Sequence, residues 1–141
     1  MELQVDYRAS KSIRLFASVG LTETEYVDFE GFDGNEFPNA PNHTVSIGGE
    51  YTHSKGFYLN LDLSHTASQF SNIANDGFSE VDAFTIANVR TGYEFESYSI
   101  SAFANNLFDE KYVTSIDGFD MGSLALGGSP RIIGIQITAG F

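Results

Sequence analysis

The chain has 141 residues, nineteen acidic and seven basic, and its formal net charge of −12 argues against nucleic-acid binding, because it repels phosphates and releases no counterions. The absence of cysteine excludes disulfides, thiolate metal sites and a cysteine nucleophile. No segment reaches the roughly 18 apolar residues of a membrane-spanning helix, and residues 1–6 show none of the features of a secretory signal.

Apolar and polar residues alternate along most of the chain, which predicts β-strands rather than helices. Seven strands are expected, at residues 2–8, 12–26, 42–53, 57–70, 81–95, 98–107 and 131–141. Several are longer than the usual five or so residues of globular sheets. Their lengths suit a tilted strand that crosses a bilayer, which needs about 9 to 11 residues.

The connections alternate between short and long in chain order. Short turns are predicted at 9–11, 54–56 and 96–97, and long loops at 27–41, 71–80 and 109–129. This segregation is the layout of a transmembrane barrel, with turns at the periplasmic rim and loops at the outer rim.

Aromatic residues concentrate near the short turns, on the apolar side of the strands. They are Tyr51, Phe57, Tyr93, Phe95, Tyr98 and Phe141. That is where a transmembrane barrel carries its interfacial aromatic girdle. Alternation alone does not separate a membrane barrel from a soluble sandwich; the aromatics favour the barrel, with core aromatics near turns as the alternative.

Four segments resemble the C-terminal region of TonB-dependent outer-membrane receptors. Residues 103–112 (FANNLFDEKY) resemble the penultimate-strand motif, in which a strand ends in Asn-Leu-Phe-Asp, two further residues and Tyr. The ending that starts at Gly128-Ser129-Pro130-Arg131 and alternates to Phe141 is similar to the closing strand. Residues 39–43 and 87–93 resemble two upstream strands, and the four matches come in family order.

The resemblance implies a barrel of about 22 strands in the outer membrane of a Gram-negative bacterium, with an N-terminal plug in its lumen. Such receptors take up scarce ligands such as ferric siderophores. It also implies membrane lipid, lipopolysaccharide and the barrel-assembly machinery as partners, with TonB reached only through the plug. The implied activity is transport, so we expect neither an enzyme nor a cofactor.

We expect residues 1–141 to be the C-terminal segment of such a barrel, without the plug and without the preceding strands. Single-chain bacterial barrels normally have an even strand number, whereas seven strands leave two unpaired edges that lipid cannot satisfy. The strand from Arg131 to Phe141 should therefore be one of these edges, and the segment alone is not expected to transport. Two alternatives remain: a free-standing or oligomeric small outer-membrane barrel, and a soluble β-sandwich binding module.

Binding determinants are expected mainly in the outer loops. Phe29, Phe32, Asp33 and Phe37 combine aromatic and polar groups, which suits capture of an organic ligand, or packing of one loop against another. The three histidines, 43, 53 and 65, show no metal-ligand spacing, and no catalytic arrangement is visible, so we predict no metal and no catalytic residues.

The motif residues are expected to serve the barrel itself. Asn106 and Asp109 should satisfy backbone groups where a strand opens into its loop, with Tyr112 packing over them. Pro130 and Arg131 belong to the closing-strand motif. The resemblance assigns Phe141 to the signal that the barrel-assembly machinery reads.

Overall fold

The structure, a computed structural model, describes residues 1–119 and 122–140, and these form only strands, turns and loops. The strands are β1 (Glu2–Arg8), β2 (Ile13–Leu21), β3 (His43–Thr52), β4 (Phe57–Thr66), β5 (Gln69–Phe70), β6 (Glu80–Val81), β7 (Phe84–Glu94), β8 (Tyr98–Asn105), β9 (Val113–Phe119), β10 (Gly122–Gly127) and β11 (Ile132–Ala139). The described residues contain no helix long and apolar enough to cross a membrane.

Seven of these strands form one antiparallel sheet, in the order β1-β2-β3-β4-β7-β8-β11. Each strand pairs with the next long strand of the chain, so the sheet is a meander. The sheet is open, since β1 and β11 each pair with a described strand on one side only. The prediction of an all-β, open meander of about seven strands is confirmed, as is the prediction that the last strand forms an edge.

One face of the sheet is aliphatic and uncovered. Ile133, Ile135 and Ile137 point to this face from β11 and keep about 70% of their surface exposed (72%, 73% and 69%). Among the described residues, the buried apolar side chains are only Ala67, Val81, Ala87 and Ala104. A soluble sandwich would bury its apolar face under a second sheet. No such sheet covers this face in the described residues, so the sandwich alternative fails and the face is suited to lipid.

Aromatic rings line the end of this face at which the short turns lie. The rings of Tyr51 and Phe57 are 6.2 Å apart between centroids, and Phe57 pairs with Tyr93 across β4 and β7. Phe95 is stacked on Tyr98 at 4.2 Å and lies 4.6 Å from Tyr93. These rings form a belt at one rim, as a membrane interface requires. Phe141, the sixth predicted member, lies outside the described residues.

Several strands end earlier than the sequence pattern predicts. β2 ends at Leu21 rather than at residue 26, because its partner β3 begins at His43, opposite Leu21. Tyr26 instead donates its N–H to Asn35 O inside the following loop. The predicted strand 57–70 is divided into β4 and β5, and the predicted strand 81–95 into β6 and β7. β1 has the predicted ends, and β3, β8 and β11 differ from prediction by one or two residues at their ends.

The connection 109–129, predicted as the longest loop, contains a hairpin of its own. β9 and β10 pair antiparallel, with Ile116 opposite Ala125. β5 and β6 form a second small sheet, in which Gln69 pairs with Val81. The outer connections are therefore folded rather than irregular, and they build an ordered layer above the main sheet.

Candidate functional site in the outer loops

An aromatic cluster occupies the loop between β2 and β3. Tyr26 lies 4.6 Å from Phe37 and 5.5 Å from Phe29 between ring centroids, and Phe29 lies 5.6 Å from Phe32. Phe29 and Phe37 remain nearly half exposed, at 47% and 44%. The structure thus brings together the three predicted loop phenylalanines and adds Tyr26, which the sequence analysis placed in a strand.

Asp33 serves the fold of this loop. Its Oδ1 accepts a hydrogen bond of 2.6 Å from the N–H of Phe29. The chain folds back here through Gly31 and Gly34, which adopt left-handed φ values of +85° and +84° that glycine takes without steric cost. The carboxylate is therefore engaged in holding the loop, while the rings of Phe29 and Phe37 stay exposed.

The aromatic loop is tied to the neighbouring loop between β5 and β6. Asn35 Nδ2 donates to Ile73 O at 2.8 Å. Asn75 Oδ1 accepts from the N–H of Glu36 at 2.6 Å, and Asn75 Nδ2 donates to Glu36 O at 3.1 Å. These bonds join residues 38 and 39 positions apart, so the two loops form one unit. Neither asparagine could be recognised from the sequence, because nothing local marks such a long-range contact.

Asp76 organises the second loop from within. Its carboxylate accepts from Asn72 Nδ2 at 3.2 Å and from the N–H of Phe78 at 3.1 Å. These hydrogen bonds, led by that from Asn72 and joined by those from Ser79, lower the pKa of the Asp76 carboxyl below its usual value. Phe78 lies in this loop with 87% of its surface exposed.

Asn106 lies at the root of the longest outer connection and is 3% exposed. Its Nδ2 donates to Glu110 O at 2.9 Å and to Ser129 O at 3.0 Å, while its Oδ1 accepts from the N–H of Glu110 at 2.8 Å. Its own N–H donates to Asn88 Oδ1 at 3.0 Å. The side chain therefore joins both ends of the connection. Asn106 was predicted from its motif, whereas its partner Asn88 has no sequence signal of its own.

Asp109 closes the same junction from the other side. Its Oδ1 accepts from the N–H of Arg131 at 3.0 Å, and its Oδ2 pairs with Lys111 Nζ at 3.0 Å. The hydrogen bond from the Arg131 N–H, followed by that from Lys111, lowers the pKa of the Asp109 carboxyl. Pro130 lies between Ser129, which Asn106 binds, and Arg131, which Asp109 binds, so the turn into β11 is held on both sides.

Tyr112 packs at the foot of the β9–β10 hairpin. Its ring is stacked on Phe84 at 4.4 Å between centroids, and its carbonyl accepts from the N–H of Gly128 at 2.8 Å. A Cβ at position 128 would collide with the Tyr112 ring, so glycine is required there. The hairpin is further connected to the β5–β6 layer, because the N–H of Ile116 donates to Ser71 Oγ at 2.9 Å.

The polar face of the main sheet carries a connected row of side chains. Arg14 pairs with Asp6 on β1 and with both Glu50 oxygens on β3, at 3.1 and 3.2 Å. Asn88 Nδ2 donates to Asp62 Oδ2 at 2.7 Å. The carboxylates of Asp6, Glu50 and Asp62 are therefore held by hydrogen bonds, as expected of a polar lumen.

Two of the three histidines lie side by side. The rings of His43 on β3 and His65 on β4 are 5.5 Å apart between centroids, a proximity that their spacing along the sequence does not reveal. His53 lies in the turn between the same strands at the opposite rim. Within the described part of the chain, no three His, Asp or Glu side chains form a metal-binding group.

Acidic charge is concentrated in the outer connections. Residues 22–42, 67–83 and 106–131 hold thirteen of the nineteen acidic residues and two of the seven basic ones. These connections therefore contribute a negative field at the outer rim, which attracts cations and repels anions.

Residues 1–107 match the TonB dependent receptor-like β-barrel family. The chain belongs to this family. Its fold is similar to that of the ferric yersiniabactin uptake receptor FyuA from Yersinia pestis, with a TM-score of 0.85 and 20% identity over 96% of this chain and 22% of that one. The siderophore receptor PiuA from Acinetobacter baumannii gives a TM-score of 0.76 and 15% identity over 96% of this chain and 20% of that one.

The unliganded ferric citrate transporter FecA gives a TM-score of 0.76 and 23% identity over 90% of this chain and 21% of that one. The chain thus spans about a fifth of the length of the receptors that it matches. The resemblance inferred from the four sequence segments is confirmed, and this family places the chain in the outer membrane of Gram-negative bacteria.

Proposed function

We propose that residues 1–141 form the C-terminal segment of the barrel of a TonB-dependent receptor, which actively takes up a scarce ligand such as a ferric siderophore. The observation that carries this proposal is the open seven-stranded meander with a bare aliphatic face and a folded layer of outer loops. In this role the chain is a transporter segment with no enzymatic step. It requires the remaining strands and a plug, and TonB is engaged only through that plug.

A barrel segment in the outer membrane has lipid, lipopolysaccharide and the barrel-assembly machinery as its partners. The aliphatic face meets membrane lipid, and the outer rim meets lipopolysaccharide. Phe141 is proposed as the signal for the barrel-assembly machinery, by resemblance to the terminal aromatic residue of outer-membrane barrels. Its test is an assembly assay in which Phe141→Ala lowers the amount of inserted protein, whereas Phe119→Ala does not.

A small barrel built from several copies is disfavoured by strand direction. β1 and β11 are the first and seventh strands of an antiparallel order, so they run in the same direction. If every copy were inserted with the same orientation, β11 of one copy would have to pair in parallel with β1 of the next. Bacterial barrels use antiparallel pairing throughout. Closure therefore favours a partner segment with an odd number of strands, as in a larger receptor.

Within this function, we assign ligand contact to the half-exposed rings of Phe29 and Phe37, with Phe32 completing the cluster and Asp33 holding the loop. Aromatic side chains that are already packed offer contact area at little entropic cost. Because the surrounding loops are acidic, these rings suit a neutral or cationic iron chelate better than an anionic one.

The test uses the intact polypeptide that carries this chain, in a strain whose other iron-uptake receptors are deleted. The double variant Phe29→Ala/Phe37→Ala should lower affinity for the transported chelate by about tenfold or more, as loss of aromatic anchors does. Phe78→Ala is the matched control, because Phe78 is an exposed loop phenylalanine outside the cluster. Equal affinity in the double variant and the wild type would remove the loop from the ligand site. Failure of every iron chelate to support growth would remove the proposed substrate class.

A further inference from the structure

His43 and His65 lie at the outer ends of β3 and β4, on the aliphatic face. Val45 is paired with His65 in the β3–β4 ladder, and His43 is two residues before Val45 on the same face. The two histidines are therefore diagonal neighbours, a spacing that long side chains bridge. Both side chains are partly exposed, so they are accessible from outside the sheet.

The Nδ1 atom of each ring lies within hydrogen-bond distance of a neighbouring side chain. His43 Nδ1 lies 2.6 Å from Asn42 Oδ1. An amide oxygen only accepts, so Nδ1 carries the proton and Nε2 keeps its lone pair in the neutral ring. His65 Nδ1 lies 2.9 Å from Thr85 Oγ1. Fixing one ring nitrogen so that the other is bare is how proteins prepare a histidine to bind a metal ion.

The ring separation fits one shared ion. Metal–nitrogen distances of about 2.0–2.1 Å at a tetrahedral angle put two imidazole centres roughly 5–6 Å apart, and the observed separation is 5.5 Å, with the two ring planes 28° from parallel. Imidazole favours zinc, copper and nickel over magnesium and calcium. The acidic outer loops add a negative field that raises the local concentration of cations.

We propose that His43 and His65 form a two-histidine site for a divalent transition-metal ion, Zn²⁺ or Cu²⁺, at the outer rim and outside the barrel lumen. The two Nε2 atoms are the protein ligands, and water completes the coordination. Asn42 and Thr85 are positioning residues, because they orient the rings without touching the ion. The site is separate from the aromatic cluster and independent of the chelate that the receptor transports.

The test measures metal binding by the intact outer-membrane polypeptide that carries this chain, purified in detergent and stripped of metal. Zn²⁺ titration by calorimetry should show one site that is weakened at least about tenfold by His43→Ala and by His65→Ala, and about tenfold by Asn42→Ala. His53→Ala is the matched control and should leave binding unchanged. With Cu²⁺, the electron paramagnetic resonance spectrum should show two equivalent nitrogen ligands.

Correct folding of each variant is checked by heat-modifiable gel mobility, which reports a closed barrel. Folded His43→Ala and His65→Ala proteins that bind Zn²⁺ like the wild type would overturn the proposal. An equal loss in His53→Ala, or a copper spectrum with a single nitrogen, would overturn it too. Because this experiment measures metal binding rather than uptake, its outcome does not depend on the test of the transported ligand.

Discussion

Replacing Asn106 by Asp probes the junction at which β8 opens into the longest outer connection. The two side chains have the same shape, and both tolerate the left-handed φ of +49° observed at this position. The only change is that the Nδ2 donor becomes a carboxylate oxygen. That oxygen would face the carbonyls of Glu110 and Ser129, which now receive hydrogen bonds of 2.9 and 3.0 Å.

The cost is set by those two bonds. Each is worth about 0.5–1.5 kcal/mol net, and leaving a buried carbonyl unpaired costs about 1–3 kcal/mol. We therefore expect the junction to lose about 3 kcal/mol, which corresponds to roughly a hundredfold change in its opening equilibrium. The third bond, from the N–H of Glu110 to Oδ1, survives in the variant.

Hydrogen–deuterium exchange of the intact receptor in detergent measures this opening. Peptides from residues 107–131 should exchange about a hundredfold faster in Asn106→Asp, whereas the rest of the barrel should be unchanged. The matched control is Asn105→Asp, the same substitution at an exposed neighbour, with little expected effect. Unchanged protection in Asn106→Asp, or equal acceleration in Asn105→Asp, would refute the assignment of Asn106 as the link between the two ends of the connection.

Two further predictions concern the sheet face and the second junction residue. Gly48→Ala should destabilise the barrel by about 1–3 kcal/mol in a denaturant titration, because a Cβ there collides with the Phe16 ring and comes within 2.8 Å of a backbone carbonyl. Gly77→Ala is the control and should be neutral, because a Cβ at position 77 meets no atom within 4 Å. Equal effects of the two substitutions would contradict the packing argument. Asp109 has a lowered pKa in the folded protein, so its stabilisation is present above the unfolded value near 3.9 and is lost as pH falls further. Pepsin should therefore cleave residues 107–131 of the wild type faster as the pH falls below 4, and this acceleration should be smaller in Asp109→Asn. An identical pH profile in the two proteins would contradict the role of the Asp109 carboxylate.

The number of long strands, their faces and the alternation of connections could all be predicted from the sequence. Each follows from a local pattern with a period of two, as in Phe57 to Leu63 on β4. Strand ends could not be predicted in the same way, because a strand ends where its neighbour ends. The strand was predicted to run to residue 26, yet the ladder of paired residues ends at Leu21 opposite His43 and continues only as one hydrogen bond, from the N–H of Thr22 to Asn42 O.

The contacts of the candidate site depend on register and on loop geometry, which no local pattern encodes. The pairing of Asn75 with Glu36 joins two loops 39 residues apart. The proximity of His43 and His65 appears only when the β3–β4 register is known. The phenylalanines of the first loop could be recognised as a group from the sequence. Their contact with Tyr26 could not, because it forms only when the loop folds back on itself.

Asparagine and aspartate residues stabilise the backbone of the outer loops, so the acidic residues there also serve the fold. Among the described residues, the positions other than glycine with positive φ are all Asn or Asp: Asp28, Asn39, Asn75, Asn106 and Asp109. These side chains tolerate the left-handed region and bind nearby backbone groups.

Three carboxylates also bind the backbone, since Asp33, Asp76 and Asp109 each accept a hydrogen bond from a backbone N–H. Their charge contributes to the long-range field, but their oxygens are already engaged by the fold. For the ligand contact proposed at Phe29 and Phe37, the rings are the exposed surfaces of a loop whose Asp33 is engaged by the backbone, so we expect an organic chelate to be recognised by its shape and its net charge.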